Sequence, residues 1–441
     1  MVVEGWLERA AATHPARTAI ETPQGERSYA ELLADARVGA AELSSRGVGS
    51  GTHVAIALPP GLAFAQALHA CLLLGAVAVP VDLRLSAPER KRIAEGAAVI
   101  IDGALDTSGS AVKAPHDGGH DLDATAVVIH TSGTTSAPRP VELTYGNFLW
   151  SALGSAVALG LDPQERWLCA LPLSHVGGLS ILMRSAIYGT TAVVHERFDA
   201  HAVLRALNER RITLVSLVAT TLNRLLDAGL ERPPMLRCAL TGGGPVPTGL
   251  LQRAIDAGVP VSQTYGLTES CSQATTTPLA AIGDDRHVAG TPLFCTQVRI
   301  AADGEILLSG PTVAPASRDE EGWLRTGDLG SLDDGRLCVS GRASDTIISG
   351  GENVAPSEIE AVLEAHPGVL EAAVIGRPDP QWGQAITAIV VARPDANLQT
   401  QPLREHCTAS LAPYKVPKQI VLADEPLPRT RSGKLLRREL V

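Results

Sequence analysis

The chain is 441 residues long, 45% hydrophobic and only 3% aromatic, with a formal net charge of −10. That length holds two or three domains with a sizeable core, and that apolar content excludes a disordered polymer. No basic run or basic-aromatic stripe interrupts the mild acidic balance, so nucleic acid is excluded as the expected partner.

The opening MVVEGWLERAAATHP lacks a charged start followed by an apolar stretch, so it does not read as a signal peptide. No apolar run reaches the roughly 20 residues that a membrane span needs. Seven cysteines stand at 71, 169, 238, 271, 295, 338 and 407, without a close pair. An odd number at such spacing predicts reduced thiols in a cytoplasmic protein rather than a disulfide framework or a zinc site.

Residues 28–46 predict an amphipathic helix closed by Gly47. A strand at His53–Ala57, a helix over 62–74 and a strand over 77–81 follow. Past a Gly/Asp/His-rich loop near 103–123, strands are expected at 126–130, 167–171, 190–195, 212–218, 236–240 and 259–263. Helical patterns lie between most of them. Repeated β-α-β units predict parallel or mixed sheets covered by helices, with ligands at the loops beyond the strand C-termini.

From 296 to 341 short strands alternate with Gly/Asp turns, which predicts a small antiparallel β subdomain. A short α+β unit follows, with helices at 356–365 and near 402–411 and strands at 369–376 and 385–392. The boundary falls at Arg342–Asp345, giving a large N-terminal α/β domain over 1–341 and a small C-terminal α+β domain over 346–441.

Four loops carry candidate chemistry. His130-Thr131-Ser132-Gly133-Thr134-Thr135-Ser136 follows an apolar strand and supplies the N–H and O–H donors that polyphosphate oxygens need. Alone, such a loop is equally an ordinary surface turn. GxxxxGK[ST] is absent, which excludes a Walker P-loop. Thr241-Gly242-Gly243-Gly244-Pro245 ends another strand, and its glycines allow close approach of a flat ring. Tyr265-Gly266-Leu267-Thr268-Glu269 ends a third, and Thr326-Gly327-Asp328 lies in the β subdomain.

In this order and spacing the loops resemble those of the adenylate-forming superfamily, which includes acyl-CoA ligases, peptide-synthetase adenylation domains and luciferases. The resemblance implies that Thr131, Ser132, Gly133, Thr134 and Thr135 cradle the phosphates of ATP. It implies that Gly243, Gly244, Pro245, Tyr265 and Gly266 contact adenine and acyl group, and that Thr268 donates to the α-phosphate. Glu269 would hold Mg²⁺, Asp328 the ribose hydroxyls, and Arg342 ribose or phosphate. Where the superfamily continues Gly-x-Pro-Lys-Gly, this chain has Ser136-Ala137-Pro138-Arg139-Pro140, a stiffer loop with a guanidinium in place of the ammonium.

The hinge of the superfamily is matched by Gly341-Arg342-Ala343-Ser344-Asp345, with Ser344 at the pivot and residues 342–345 as the hinge of a mobile lid. Ser349, Gly350 and Gly351 would line the path of the CoA pantetheine arm. Lys434, in Arg431-Ser432-Gly433-Lys434, matches the terminal catalytic lysine. It is one of 5 lysines beside 32 arginines.

Leu171–Gly178 matches the acyl-pocket segment and implies that His175 orients the reacting carboxylate. A single arginine, Arg184, interrupts the apolar run that follows. It is either a snorkelling side chain or a buried cation awaiting an anionic substrate group. This stretch, together with Cys238–Pro247 and Gln263–Gln273, which contains Ser272, resembles the 2-succinylbenzoate–CoA ligase family of menaquinone biosynthesis. That resemblance runs from about residue 25 to 440. It implies ATP, Mg²⁺ and CoA with an aromatic keto diacid as substrates, recognised by His175, Arg184, Gly243, Gly266 and Ser272. Whether the chain forms a homodimer stays open.

Overall fold

Three helix-covered sheets, a small four-stranded antiparallel sheet and a two-stranded pair are found in the computed structural model, which describes residues 1–107, 119–131, 139–283, 288–350, 352–394, 396–429 and 435–440. The largest sheet has nine strands. Its centre is parallel, in the order Val261–Tyr265, Cys238–Thr241, Leu214–Leu217, Arg166–Cys169, Thr191–Val194, Thr18–Thr22. Short antiparallel strands finish both edges. A five-stranded sheet runs Val99–Ile101, His53–Ile56, Val77–Pro80, Thr125–Thr131, Arg139–Thr144, and only its last pairing is antiparallel.

These strands are short and rich in Val, Ile, Leu and Ala because helices bury them on both faces. Helix starts are written locally. Ser28 caps Tyr29–Ser45 in a reciprocal box: its hydroxyl accepts from the Glu31 amide, and the Glu31 carboxylate accepts the Ser28 amide at 2.7 Å. Thr144 and Asn147 form the same box at the head of Tyr145–Leu159. Losing such a cap costs about 1 kcal/mol.

The third unit is a four-stranded antiparallel sheet over Gln297–Ile300, Glu305–Ser309, Leu324–Asp333 and Arg336–Arg342. The C-terminal part has its own five-stranded sheet and its own apolar core around Val374, Ile386, Val390 and Leu403. Helices Pro356–Glu364 and Thr400–Ser410 pack on it. The fold is therefore α/β, with a large N-terminal and a small C-terminal domain.

Three elements lie outside the expected pattern. Thr18–Thr22 and Gly25–Ser28 form a hairpin that extends the nine-stranded sheet. Gly119–Asp121, inside the stretch read as loop, pairs with Val2–Glu4. Gln419–Ala423 adds a parallel strand beside Gly383–Ala392. Each is held by pairing with a distant partner, which local composition does not encode. Among the described residues no helix is long and apolar enough to cross a membrane, and all seven cysteines are free thiols.

Candidate active site

Two neighbouring parallel strands, Cys238–Thr241 and Val261–Tyr265, place their following loops side by side, with Thr241 opposite Gln263. Space there is tight. A Cβ on Gly242 would sit 2.7 Å from the Thr264 side chain, whereas one on Gly244 meets nothing within 4 Å. Gly242 therefore lets the two strands close up, and Gly244 leaves an open face beside them. Gly243 has φ +79°, a left-handed conformation that favours glycine.

Gly266 is the most constrained position of the second loop. A Cβ there would lie 1.6 Å from the carbonyl oxygen of Ser272. The chain folds back through Thr268–Ser270, and the Ser272 amide donates to the Leu267 carbonyl at 3.1 Å. Cys271 and Ser272 take positive φ values of 52° and 88° to make this return. The loop is fastened from outside, because the Ala314 amide donates to the Glu269 carbonyl at 2.7 Å. Its turn packs on the strand Arg139–Thr144.

Thr131 ends the strand Thr125–Thr131 and faces Arg139 in the hairpin, its hydroxyl donating to the Arg139 carbonyl at 3.3 Å. Pro140 sits on the edge strand, where a missing N–H breaks no ladder. Ser132, Gly133, Thr134 and Thr135 lie outside the described residues, as do Gly351 and Lys434.

A second cluster ties the β subdomain to the 265–272 loop. The Tyr265 hydroxyl donates to Asp328 Oδ2 at 2.8 Å, and Arg342 Nε donates to Asp328 Oδ1 at 2.8 Å. Asp328 and Arg342 are direct cross-strand partners. Burial, then the Asp328 charge, push the Tyr265 phenol well up, so it stays a hydrogen-bond donor at neutral pH. The turn before Asp328 is held by its own residues. Gly327 has φ +71°, its amide donates to Glu305 Oε1 at 2.8 Å, and the Asp328 amide donates to Thr326 Oγ at 3.0 Å.

Arg184 is 2% exposed, which rules out the snorkelling alternative. It sits in the helix Val176–Tyr188, and burial holds its pKa down. Its Nη2 donates to Ser151 Oγ at 3.0 Å, while Nε has no hydrogen-bond partner among the described residues. The guanidinium lies 5.5 Å from the Trp167 ring centroid. Ser151 donates onward to the Cys271 carbonyl at 2.7 Å, so the buried cation connects to the 265–272 loop. No carboxylate pairs with it among the described residues. An unpaired buried charge costs several kcal/mol, which singles out this position.

His175 caps the same helix nine residues earlier, about two and a half turns away. Its neighbours were not anticipated: Asp82 and Arg84, from the segment after the strand Val77–Pro80. Arg84 Nη2 lies 3.3 Å from His175 Nε2. No motif in the 82–84 segment marks it, and only the packing of the two sheets brings it here.

Ser349 is 2% exposed, its hydroxyl has no hydrogen-bond partner among the described residues, and Gly350, at φ +62°, lies against Trp382. Ser344 sits in the short turn Ala343–Asp345 and donates to Asp345 Oδ1 at 3.1 Å.

Strand-end loops beside an open face, the partly buried Glu269 and the Tyr265–Asp328–Arg342 cluster make up the candidate site. The AMP-binding enzyme family matches residues 7–116 and 101–316, and the AMP-binding enzyme C-terminal domain matches residues 358–434. The chain belongs to this family. The 2-succinylbenzoate–CoA ligase of Bacillus subtilis (strain 168) is 38% identical to it, over 99% of this chain and 97% of that protein. The o-succinylbenzoate CoA synthetase structure from Bacillus subtilis in complex with the acyl-adenylate intermediate OSB-AMP superposes with a TM-score of 0.91 at 38% identity, covering 100% of this chain and 98% of that one. The structure of that synthetase with ATP and magnesium ion gives the same TM-score of 0.91, covering 100% of both chains.

Proposed function

We propose that this chain is an ATP-dependent acid–CoA ligase that converts 2-succinylbenzoate, ATP and CoA into 2-succinylbenzoyl-CoA, AMP and pyrophosphate. The observation that carries the substrate assignment is Arg184: a buried guanidinium, without an acidic partner among the described residues, one serine away from the 265–272 loop. A diacid has one carboxylate to react and one to satisfy that cation. A simple fatty or aryl acid would leave it uncompensated. The step belongs to menaquinone biosynthesis and takes place in the cytoplasm.

The reaction runs in two halves. A carboxylate oxygen of the acid attacks the α-phosphorus of ATP, and the bond to pyrophosphate breaks. The CoA thiolate then attacks the acyl carbonyl, and the bond to AMP breaks. Charge gathers on the phosphoryl oxygens in the first half, so donors must converge there. In this reading Thr268, with Thr131, Ser132 and Thr134, supplies hydroxyl and amide donors, and Lys434 supplies the ammonium. Asp328 and Arg342 hold the ribose.

Glu269 fits a magnesium ion: its carboxylate has no ion pair among the described residues and stands on a turn fixed through its backbone. Mg²⁺ takes few protein ligands and completes its shell with phosphate oxygens and water. When bound it neutralises the polyphosphate.

The division at residues 342–345 acts as a hinge about Ser344. Rotation of residues 346–441 withdraws Lys434 and presents Ser349–Glu352 to the acyl-adenylate for CoA entry. The separate apolar core of the C-terminal part supports this, because a unit with its own core moves as one body.

The test is pyrophosphate release with 2-succinylbenzoate, ATP and Mg²⁺, with and without CoA. Release that depends on the diacid, and thioester formed once CoA is added, is expected. Release driven equally by benzoate, or none with the diacid, overturns the assignment.

A further inference from the structure

His175 contacts a guanidinium, and a guanidinium only donates hydrogen bonds. At 3.3 Å from Arg84 Nη2, His175 Nε2 can satisfy that contact only by accepting. An imidazolium, or a ring protonated on Nε2, would set donor against donor. Arg84 is itself fixed. It donates to Asp82 from Nε at 2.9 Å and from Nη2 at 2.6 Å, and the Arg84 backbone amide also donates to Asp82 at 2.9 Å. Asp82 is 12% exposed, so its carboxylate is a well-anchored clamp.

We propose that Arg84, clamped by Asp82, is a positioning residue that fixes His175 as a neutral imidazole with its proton on Nδ1. His175 then offers one directed N–H donor, suited to an oxyanion such as the acid's carboxylate oxygen. It takes no part in proton transfer, and the reaction needs none there, since an ionised carboxylate is already the nucleophile. The catalytic consequence rests on the ligase reading above; the tautomer does not.

Three further features agree. The His175 side chain is only partly buried, at 43% exposed, and that burial lowers its pKa; the Asp82 charge opposes this, and Arg84 lowers it again. The Asp82 carboxylate stays 3.8 Å from Nε2, beyond hydrogen-bond reach, so it does not claim the ring proton while Arg84 intervenes. His175 is also the N-cap of the helix that carries Arg184, so the segment orienting the ring is continuous with the buried cation. Asp82 and Arg84 follow a strand of the five-stranded sheet, and His175 heads a helix that follows a strand of the nine-stranded one, so the contact joins segments from the two sheets.

The experiment is ¹⁵N–¹H NMR of the histidine side chains in the full chain, with His175→Asn for assignment. The wild type is expected to show the Nδ1–H tautomer and to titrate below the usual histidine range. Arg84→Leu removes the donor and leaves Asp82 facing the ring. The proton is then expected on Nε2, with the titration midpoint raised by about one pH unit. The acid limb of kcat/KM for 2-succinylbenzoate should move up with it, while the KM for ATP stays within about twofold.

A wild-type ring protonated on Nε2 overturns the proposal without any variant. So does an Arg84→Leu protein of wild-type circular dichroism that keeps both tautomer and pH profile. Should Arg84→Leu not fold, Asp82→Asn serves: it loosens the clamp and should give mixed tautomers. The predicted tautomer in a protein that releases no pyrophosphate with the diacid would refute the ligase reading and leave the positioning role standing.

Discussion

The Tyr265 hydroxyl donates to Asp328 at 2.8 Å across 63 residues of sequence, joining the loop after a parallel strand to a turn of the antiparallel sheet. Asp328 is 6% exposed and takes Arg342 on its other oxygen. The carboxylate is thus held in one orientation by two donors.

Tyr265→Phe removes that donor and little volume. A hydrogen bond to a buried charge contributes about 1.5–3 kcal/mol, and the carboxylate left behind keeps only part of its solvation. The expected outcome is a raised KM for ATP, on the order of tenfold, with a smaller effect on the KM for the acid. Steady-state kinetics with each substrate varied in turn checks it. Equal change in both KM values would mean that the tyrosine does not act through the nucleotide subsite.

Arg184→Met separates binding from stability. The KM for 2-succinylbenzoate should rise by two orders of magnitude or more, because the second carboxylate loses its cation. The folded protein should not suffer, since an unpaired buried charge is gone and Ser151 keeps its bond to the Cys271 carbonyl. Calorimetry is expected to show an unchanged or higher melting temperature. A large drop would mark Arg184 as a structural residue instead.

Lys434→Ala tests the tail. Adenylation, followed as acid-dependent pyrophosphate release, should fall by about three orders of magnitude, in line with losing a cation aimed at developing charge. Thioester formation from supplied acyl-adenylate should stay within a few-fold. Parallel loss of both halves would remove Lys434 from its assigned role.

The C-terminal domain carries a pH signature at Glu364. Burial, then repulsion from Glu360, raise its pKa to about 7 from an ordinary value of 4.5. The folded state therefore holds this proton more tightly than the unfolded chain. Its stabilising contribution is complete below about pH 4.5, declines as pH rises, and is gone above about pH 7. Glu364→Gln, which cannot ionise, should melt higher than wild type at pH 8 and no higher at pH 4.5. Thermal scans of both proteins at the two pH values decide it.

Much of this protein was legible from residue order alone. Alternating apolar strands and amphipathic helices specify a parallel sheet because each period selects a single backbone geometry. Ser28 with Glu31 announces a helix start through a bond only three residues long. The strand-end loops at 241–245 and 265–269 stand out because glycine and hydroxyl residues there follow buried strands. The tertiary structure decided what depends on distant partners. It buried Arg184 rather than letting it snorkel, because the helix lies against Trp167 and Ser151. It brought Arg84 to His175 across 91 residues. It recruited Gln419–Ala423 and the 18–28 hairpin into sheets. Strand pairing and charge burial are relations between segments, and a segment read by itself holds only one side of each.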